Sequence, residues 1–218
     1  MTEQFDKKVS SFFDGYSSDF NEIYDDELNK KNPIKYYLSR LFRDSMFTRF
    51  SYTIETLKQD KFQTILDMGC GAGRYTHALA RLQKEVTGID FSKEMISLAE
   101  EISKKHEMKN LKFECVSAEE YVFTKSFDAV ICLGFFDYIE NPINLIKKIL
   151  DSGSKKFLGS FPKKSHPLTF QRKIRYKLRN CPLYFYDLKD LNAFKDTLKI
   201  KELKITDLGR DYIVEIDQ

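Results

Sequence analysis

Ile65-Leu66-Asp67-Met68-Gly69-Cys70-Gly71-Ala72-Gly73 is the stretch on which the reading of this chain turns. A short β-rich run, Thr64–Met68, ends at the first of three glycines, and residues 74–82, with a helical period, follow the last. Glycines at alternate positions between a strand and a helix let the backbone turn tightly and approach a ligand that a Cβ would repel. In a parallel sheet this loop lies at the carboxyl end of its strand, the side on which such folds bind ligands.

Working outward, a second strand over residues 85–89 ends at Asp90, which stands 21 residues after Gly69. A carboxylate there can accept both hydroxyls of a ribose. Two nucleoside ligands compete for this geometry. A dinucleotide fingerprint, G-x-G-x-x-G, would need its third glycine at position 74, which is Arg74; the glycine stands at 73 instead. Asp67, at the entrance to the loop, would repel a pyrophosphate but attract the ammonium of an amino-acid moiety. S-adenosylmethionine carries an ammonium and a sulfonium and no phosphate, so pattern and charge both favour it over NAD.

The flanking pattern alternates. Residues 111–116 read as a third strand, 127–133 (FDAVICL) as a central strand buried on both faces, and 157–161 as a fifth. Ser92 caps the helix after strand two, with Glu94 near its start and Lys104 and Lys105 near its end, matching the macrodipole. Asn141-Pro142 opens a helix that ends near Ser152-Gly153. Residues 198–205 and 212–216, around Asp207-Leu208-Gly209, read as an antiparallel hairpin at one edge. The expected fold is therefore α/β: a doubly wound, mainly parallel seven-stranded sheet with an antiparallel C-terminal edge hairpin. Before it, Asn32-Pro33 starts a long or broken amphipathic helix carrying Ile34, Leu38, Leu41, Met46, Phe50, Ile54 and Leu57. Together with an aromatic stretch over residues 5–28, this predicts an N-terminal helical cover over residues 1–60 and a main domain over 61–218.

ILDMGCGAGRYTHALA and VTGIDFSKEMISLAE resemble the first two motifs of the class I S-adenosylmethionine-dependent methyltransferases. Val116-Ser117-Ala118-Glu119 and FDAVICLGFFDYIENP, with the pair Asp137-Tyr138, resemble the third and fourth more loosely. The similarity covers roughly residues 60–160 and is specific for the cofactor, not for the acceptor. It implies that Gly69, Cys70, Gly71 and Gly73 wrap the methionine part, with Asp67 nearby, and that Asp90 holds the ribose. Phe91 and Met95 would flank the adenine, Ser117, Ala118 and Glu119 would lie at its edge, and Leu133 would line the floor. S-adenosylhomocysteine would be the product. Many relatives have Asp where Ser117 stands and His where Tyr138 stands, so adenine-edge recognition falls to Glu119 or backbone groups. The N-terminus and the SFP…RKIRY…CPLYFY segment resemble small bacterial methyltransferases of polysaccharide precursors or metabolites, and magnesium-protoporphyrin O-methyltransferases.

Tyr138 and His166 are the base candidates, and an ordinary half-buried tyrosine is the alternative for the first. Asp137 reads as a solvent-facing carboxylate ahead of the Asn141 cap. His77 and His106 read as structural or surface residues of the first and second helices. Tyr16, Tyr24, Arg49 and Tyr184 are candidates for closing the acceptor pocket. From Lys155 to Cys181 there are nine Lys/Arg and no Asp or Glu. That run is a solvated helix face, a counter-surface for an anionic acceptor, a nucleic-acid surface or a membrane-surface helix. Arg172, Arg175 and Arg179, spaced by three and four, can share one face and suit phosphate or carboxylate oxygens.

Composition sets the frame for these choices. The chain has 218 residues, 36 Lys+Arg against 33 Asp+Glu, 42% hydrophobic and 32% charged residues, as expected of one large globular domain. Its net charge of +3 is modest, which disfavours nucleic acid. No apolar run approaches the roughly 20 residues of a membrane span, and MTEQFDKK has no signal-peptide core, so a cytoplasmic location is expected. Cys70, Cys115, Cys132 and Cys181 lie far apart, without a C-x-x-C pair or zinc spacing, which reads as reduced thiols and no metal. The expected activity is methyl transfer to oxygen or nitrogen of a small anionic metabolite, such as a phosphorylated or nucleotide-activated sugar precursor. A methyltransferase of RNA or protein, and a non-catalytic cofactor-binding partner, are the alternatives.

Overall fold

The structure is a computed structural model that describes residues 46–166, 168–177 and 181–218. Helix α1 (residues 46–57) leads into β1 (Thr64–Met68), α2 (Arg74–Arg81), β2 (Glu85–Asp90), α3 (Lys93–Lys105) and β3 (Leu111–Cys115). Then come β4 (Ala129–Cys132), a 3-10 turn (Phe136–Tyr138), α4 (Ile143–Asp151) and β5 (Lys156–Pro162). Helices α5 (Leu168–Lys177) and α6 (Leu188–Thr197) precede β6 (Leu203–Asp207) and β7 (Asp211–Asp217). The seven strands form one sheet in the order β3-β2-β1-β4-β5-β7-β6. The first five are parallel, and β7 inserts antiparallel between β5 and β6. Strand order reverses between β1 and β4, so the crevice of this doubly wound sheet opens at their carboxyl ends.

Strand side chains alternate between two cores. Leu66, Met68, Val130, Cys132, Phe157, Phe161, Val214 and Ile216 pack beneath α4 and α6, against Ile146, Ile149, Leu191 and Phe194. Ile65, Ala129, Ile131, Leu158 and Ile213 face the other way, onto Leu57 of α1 and Tyr75, Leu79 and Ala80 of α2. The part of α1 described here is thus built into the core, with Thr53 and Leu57 both fully buried. It runs against the parallel strands: Arg49 reaches Ser160 and Asp211 near the carboxyl ends, and the chain enters β1 from the amino end. A polar cluster reinforces that docking. Glu215 of β7, buried, bonds Lys156 of β5 at 2.9 Å and Lys204 of β6 at 2.8 Å, and accepts a hydrogen bond from the Tyr52 hydroxyl of α1.

Two expectations need correction. The hairpin strand placed at residues 198–205 begins only at Leu203, because α6 runs to Thr197 and Lys199 turns with φ +53°. Helix α6 itself is announced by a capping box: Asp187 accepts from the Asp190 amide at 2.9 Å, and Asp190 accepts from the Asp187 amide at 3.0 Å. The second correction concerns charge. Four of the nine cations in residues 155–181 are already matched by carboxylates from elsewhere: Lys155 by Asp128, Lys156 by Glu215 and Asp217, Lys163 by Asp207 and Lys164 by Asp187. The asymmetry along the chain is cancelled in space at these four lysines. The Ser92 cap forms as expected, accepting from the Met95 amide at 3.3 Å, whereas residues 1–45 of the expected N-terminal cover lie outside the described residues. Among the described residues no helix is long and apolar enough to cross a membrane, no acidic, histidine or cysteine cluster suits a metal, and none of the four cysteines is in a disulfide, with Cys115 alone exposed.

Candidate functional site

The site grows from the loop between β1 and α2. Gly69, Gly71 and Gly73 all have positive φ, at +70°, +53° and +81°. The loop is tied across to β2: the amides of Gly69 and Cys70 donate to the Ile89 carbonyl at 2.9 and 3.0 Å. The glycines differ in what surrounds them. A Cβ on Gly69 would lie 2.5 Å from Phe135, and one on Gly73 would lie 2.6 Å from His77, so both permit close packing within the protein. Among the described residues a Cβ on Gly71 would meet nothing within 4 Å, so its Cα faces open space there.

Asp90 ends β2 beside that space. One carboxylate oxygen accepts from the Gly71 amide at 2.9 Å and the other from the Ser92 amide at 2.9 Å, so strand, loop and the start of α3 share one anion. Asp67, almost fully buried, accepts from the Thr76 hydroxyl at 2.7 Å. Burial pushes its pKa up to about 7, with the Asp90 charge adding to the rise and the Thr76 bond opposing it. Burial likewise raises the Cys70 thiol, with Asp67 and Asp90 reinforcing it, so that sulfur is a packing group and not a nucleophile. Met95 and Ala118 are buried, and Phe91 and Ser117 are half-buried beside them. The Ser117 hydroxyl is used locally, accepting from the Glu120 amide at 3.2 Å and donating to the Glu120 carboxylate at 3.0 Å. Glu119 is exposed, and Lys148 of α4 clamps the turn by donating to the carbonyls of Ala118 and Glu119 at 3.3 and 2.6 Å.

Beyond β4 lies the other side of the crevice. Leu133 is buried and leads into Gly134, whose φ is +71° and whose amide donates to the Ser160 hydroxyl at 2.8 Å. Arg49 spans this corner. Its Nε donates to the Tyr75 hydroxyl at 3.2 Å, and Nη1 donates to Ser160 at 3.3 Å and Asp211 at 3.2 Å. Nη2 lies over Gly134, 3.1 Å from where a Cβ would sit. Burial opposes the guanidinium charge, but Tyr75, Asp211 and Asp137 outweigh it and raise the pKa further. Asp137 is buried, not solvent-facing as expected, since the turn after β4 folds it inward. The Tyr184 amide donates to its carbonyl at 2.8 Å, and burial followed by the Glu140 charge raises the Tyr184 phenol. Tyr138 is half-buried with its ring 6.4 Å from that of Tyr176. His166 sits near Asp211, and its pKa is lowered by burial first and then by Arg210 and Lys163. Tyr186, missed in the sequence, staples the turn by donating to the carbonyls of Phe136 and Ile139 at 3.2 and 2.9 Å. Tyr16, Tyr24 and Arg179 lie outside the described residues, as do the side chains of Arg172 and Arg175.

Residues 59–159 match the family described as "Methyltransferase domain". That stretch, a little under half of the chain, is similar to this family of methyltransferase domains. The chain is 33% identical over 103 residues to a ubiquinone biosynthesis O-methyltransferase of Xanthomonas oryzae pv. oryzae, covering 44% of its own length and 42% of that relative's. It is 30% identical over 118 residues to the mitochondrial ubiquinone biosynthesis O-methyltransferase of Saccharomyces cerevisiae, covering 52% and 37%. It thus spans less than half the length of these curated relatives. In fold it is similar to magnesium protoporphyrin IX methyltransferase of Synechocystis PCC 6803 with bound S-adenosylhomocysteine, with TM-score 0.73, 19% identity and coverage of 98% and 99%. The site fits an S-adenosyl ligand: Gly71 offers a cradle that any Cβ would enter, Asp90 presents a carboxylate beside it that suits ribose hydroxyls, and the buried Asp67 suits an ammonium.

Proposed function

We propose that the chain binds S-adenosylmethionine in the loop 69–73 and transfers its methyl group to an oxygen of a small-molecule acceptor above β4 and β5. The observation that carries the reading is the open Cα of Gly71 joined by its own amide to the Asp90 carboxylate. The bound cofactor supplies a methyl group on a sulfonium whose leaving group departs neutral. The chain's own residues supply position, charge and exclusion of water. Gly69, Gly71 and Gly73 follow the amino-acid end, Asp67 balances its ammonium, and the Nη2 edge of Arg49 suits its carboxylate. Asp90 takes the ribose, Phe91 and Met95 flank the adenine, and Leu133 floors the site. His166, kept neutral at pH 7 by its surroundings, is the base for an acceptor hydroxyl, and Tyr138 stands on the same side. The named O-methyltransferase relatives favour oxygen over nitrogen. The narrower form of the reading, an anionic acceptor such as a phosphorylated sugar precursor, now rests on the cations of α5, because four neighbouring lysines are already paired.

Calorimetric titration is the first test. S-adenosylhomocysteine should bind and NAD should not. Asp90→Ala should weaken binding by roughly 1–3 kcal/mol, the range for losing hydrogen bonds to a charged group. Unchanged affinity in that variant places the ribose elsewhere. A methyl-transfer screen over hydroxyl and carboxylate acceptors then reads turnover.

Asp67 adds a pH dependence with a defined sign. Its pKa is raised to about 7, so without ligand its ionisation opposes folding, and the thermal midpoint should fall as pH rises through 7. The ligand's ammonium favours the ionised form, so affinity for S-adenosylhomocysteine should rise over the same interval. Asp67→Asn should flatten both trends, and a variant that keeps them would assign the titration to another group.

A further inference from the structure

His77 lies beneath the glycine loop and takes no part in the chemistry above. Its ring is buried between α2, α3 and β3. The built Cβ of Gly73 would lie 2.6 Å from its Cε1 and 2.9 Å from its Nδ1, so ring and Gly73 Cα are in direct contact. The backbone repeats the link, with the His77 amide donating to the Gly73 carbonyl at 2.8 Å. On the far side Nε2 lies 3.0 Å from the Ala99 carbonyl and 2.9 Å from the Ser103 hydroxyl. Ser103 spends its own hydrogen on the Ala99 carbonyl at 2.8 Å, so both neighbours of Nε2 offer only lone pairs. The hydrogen of the neutral ring must therefore sit on Nε2, and the bare Nδ1 faces Gly73. Phe113 packs edge-on at 5.6 Å and fills the remaining space under Gly73 and Gly88.

We infer that His77 is a positioning residue for cofactor binding: its uncharged ring, anchored on α3, holds the Gly73 turn in its binding shape, and a proton on Nδ1 disrupts it. The inference rests on the cofactor reading above. An added Nδ1 hydrogen would turn toward the Gly73 carbonyl and compete with the His77 amide that it already accepts. It would also place a positive charge under a loop that receives an ammonium and a sulfonium. Burial is the largest influence against that charge, and it outweighs the Ala99 and Gly73 carbonyls, which favour the protonated ring. The charged or titratable groups that act on the ring are Arg81 on its own helix and His106 after α3, both of which oppose its protonation. From α3 and β3 it meets Ala99, Ser103 and Phe113, which carry no charge. Burial acts in the same direction, so the ring stays neutral to below its usual pKa.

Linkage makes this testable without turnover, because a ligand that prefers neutral His77 must lower the pKa of His77. The chain has three histidines, so His106→Gln and His166→Gln assign the imidazole resonances in NMR titrations. With saturating S-adenosylhomocysteine, the His77 pKa should fall by about one unit or more, equivalent to tenfold weaker binding to the protonated form. Affinity should drop correspondingly in a step below pH 6.5, distinct from that of Asp67. His77→Gln, which can reach Ser103 with an amide hydrogen, should keep binding at pH 8 within a few-fold and lose the lower step. His77→Leu should bind at least about tenfold more weakly at every pH, since a residue worth ~1.4 kcal/mol to the bound loop is lost. An unmoved His77 pKa in the complex, or a lower step that survives in His77→Gln, overturns the inference while leaving the cofactor reading intact. No binding to the wild-type chain at pH 8 overturns the cofactor reading itself.

Discussion

The Gly71→Arg protein should fold as the wild type does and bind no S-adenosylhomocysteine. At φ +53° a non-glycine residue is strained by roughly 1–2 kcal/mol, a fraction of the roughly 5–15 kcal/mol that a domain has. Among the described residues no atom lies within 4 Å of the new Cβ, so their packing is untouched and the arginine projects into the space assigned to ligand. Its charge adds repulsion toward an ammonium and a sulfonium. Circular dichroism should be unchanged and the calorimetric trace flat. Gly69→Ala makes the contrasting control: its Cβ would collide with Phe135 at 2.5 Å, so it should lose stability. Retained affinity in Gly71→Arg would mean that the ligand does not approach this backbone at all.

The largest stability effect is expected far from that loop, at Glu215. This carboxylate is buried with only 4% of its side chain exposed, and Lys156, Lys204 and Tyr52 all bond to it. Burial works against its charge, but the bonds from Lys204, Tyr52 and Lys156 outweigh it and bring the pKa down to about 2. A depressed carboxylate pKa contributes stability that is complete above its unfolded value, near 4.5, and is lost as pH falls toward 2. Glu215→Ala should therefore cost about 3 kcal/mol at pH 7, in the range for stranding one partner of a buried pair, here Lys156. Denaturant titration should show that loss shrinking as pH falls from 5 to 2. Asp217→Ala, whose carboxylate is 57% exposed, should change stability little. Equal effects of the two substitutions would show that Glu215 is no keystone.

The elements that could be read directly were those whose signal is local. Thr64–Met68 followed by the glycine loop, the Ser92 cap and the apolar run around Ala129–Cys132 each carry their cause within a few residues. Helix α6 was legible in principle, from Asp187 and Asp190 three apart ahead of Leu191 and Phe194, but its apolar face is only two buried residues wide. What could not be read is what depends on distant partners. Lys156 meets Glu215 and Asp217, about sixty residues on, so the first part of a run of cations looked bare when four of its lysines were paired. Asp137 looked like a surface carboxylate because nothing in its own stretch reveals the turn that buries it. His77 looked structural, and only its contact with Gly73 shows which structure it supports.

The place of β7 has a consequence for how the sheet is made during synthesis. The chain emerges from the ribosome N-terminus first, yet β7, its last strand, lies between β5 and β6. Until residues 211–217 are available, β6 has no partner in the sheet and β5, buried along its whole length in the finished fold, presents an open edge. The Glu215 contacts to Tyr52 and Asp211's bond to Arg49 arrive with the same strand. A nascent chain halted before β7 would therefore hold a four- or five-stranded parallel core with a sticky border, a species suited to chaperone capture.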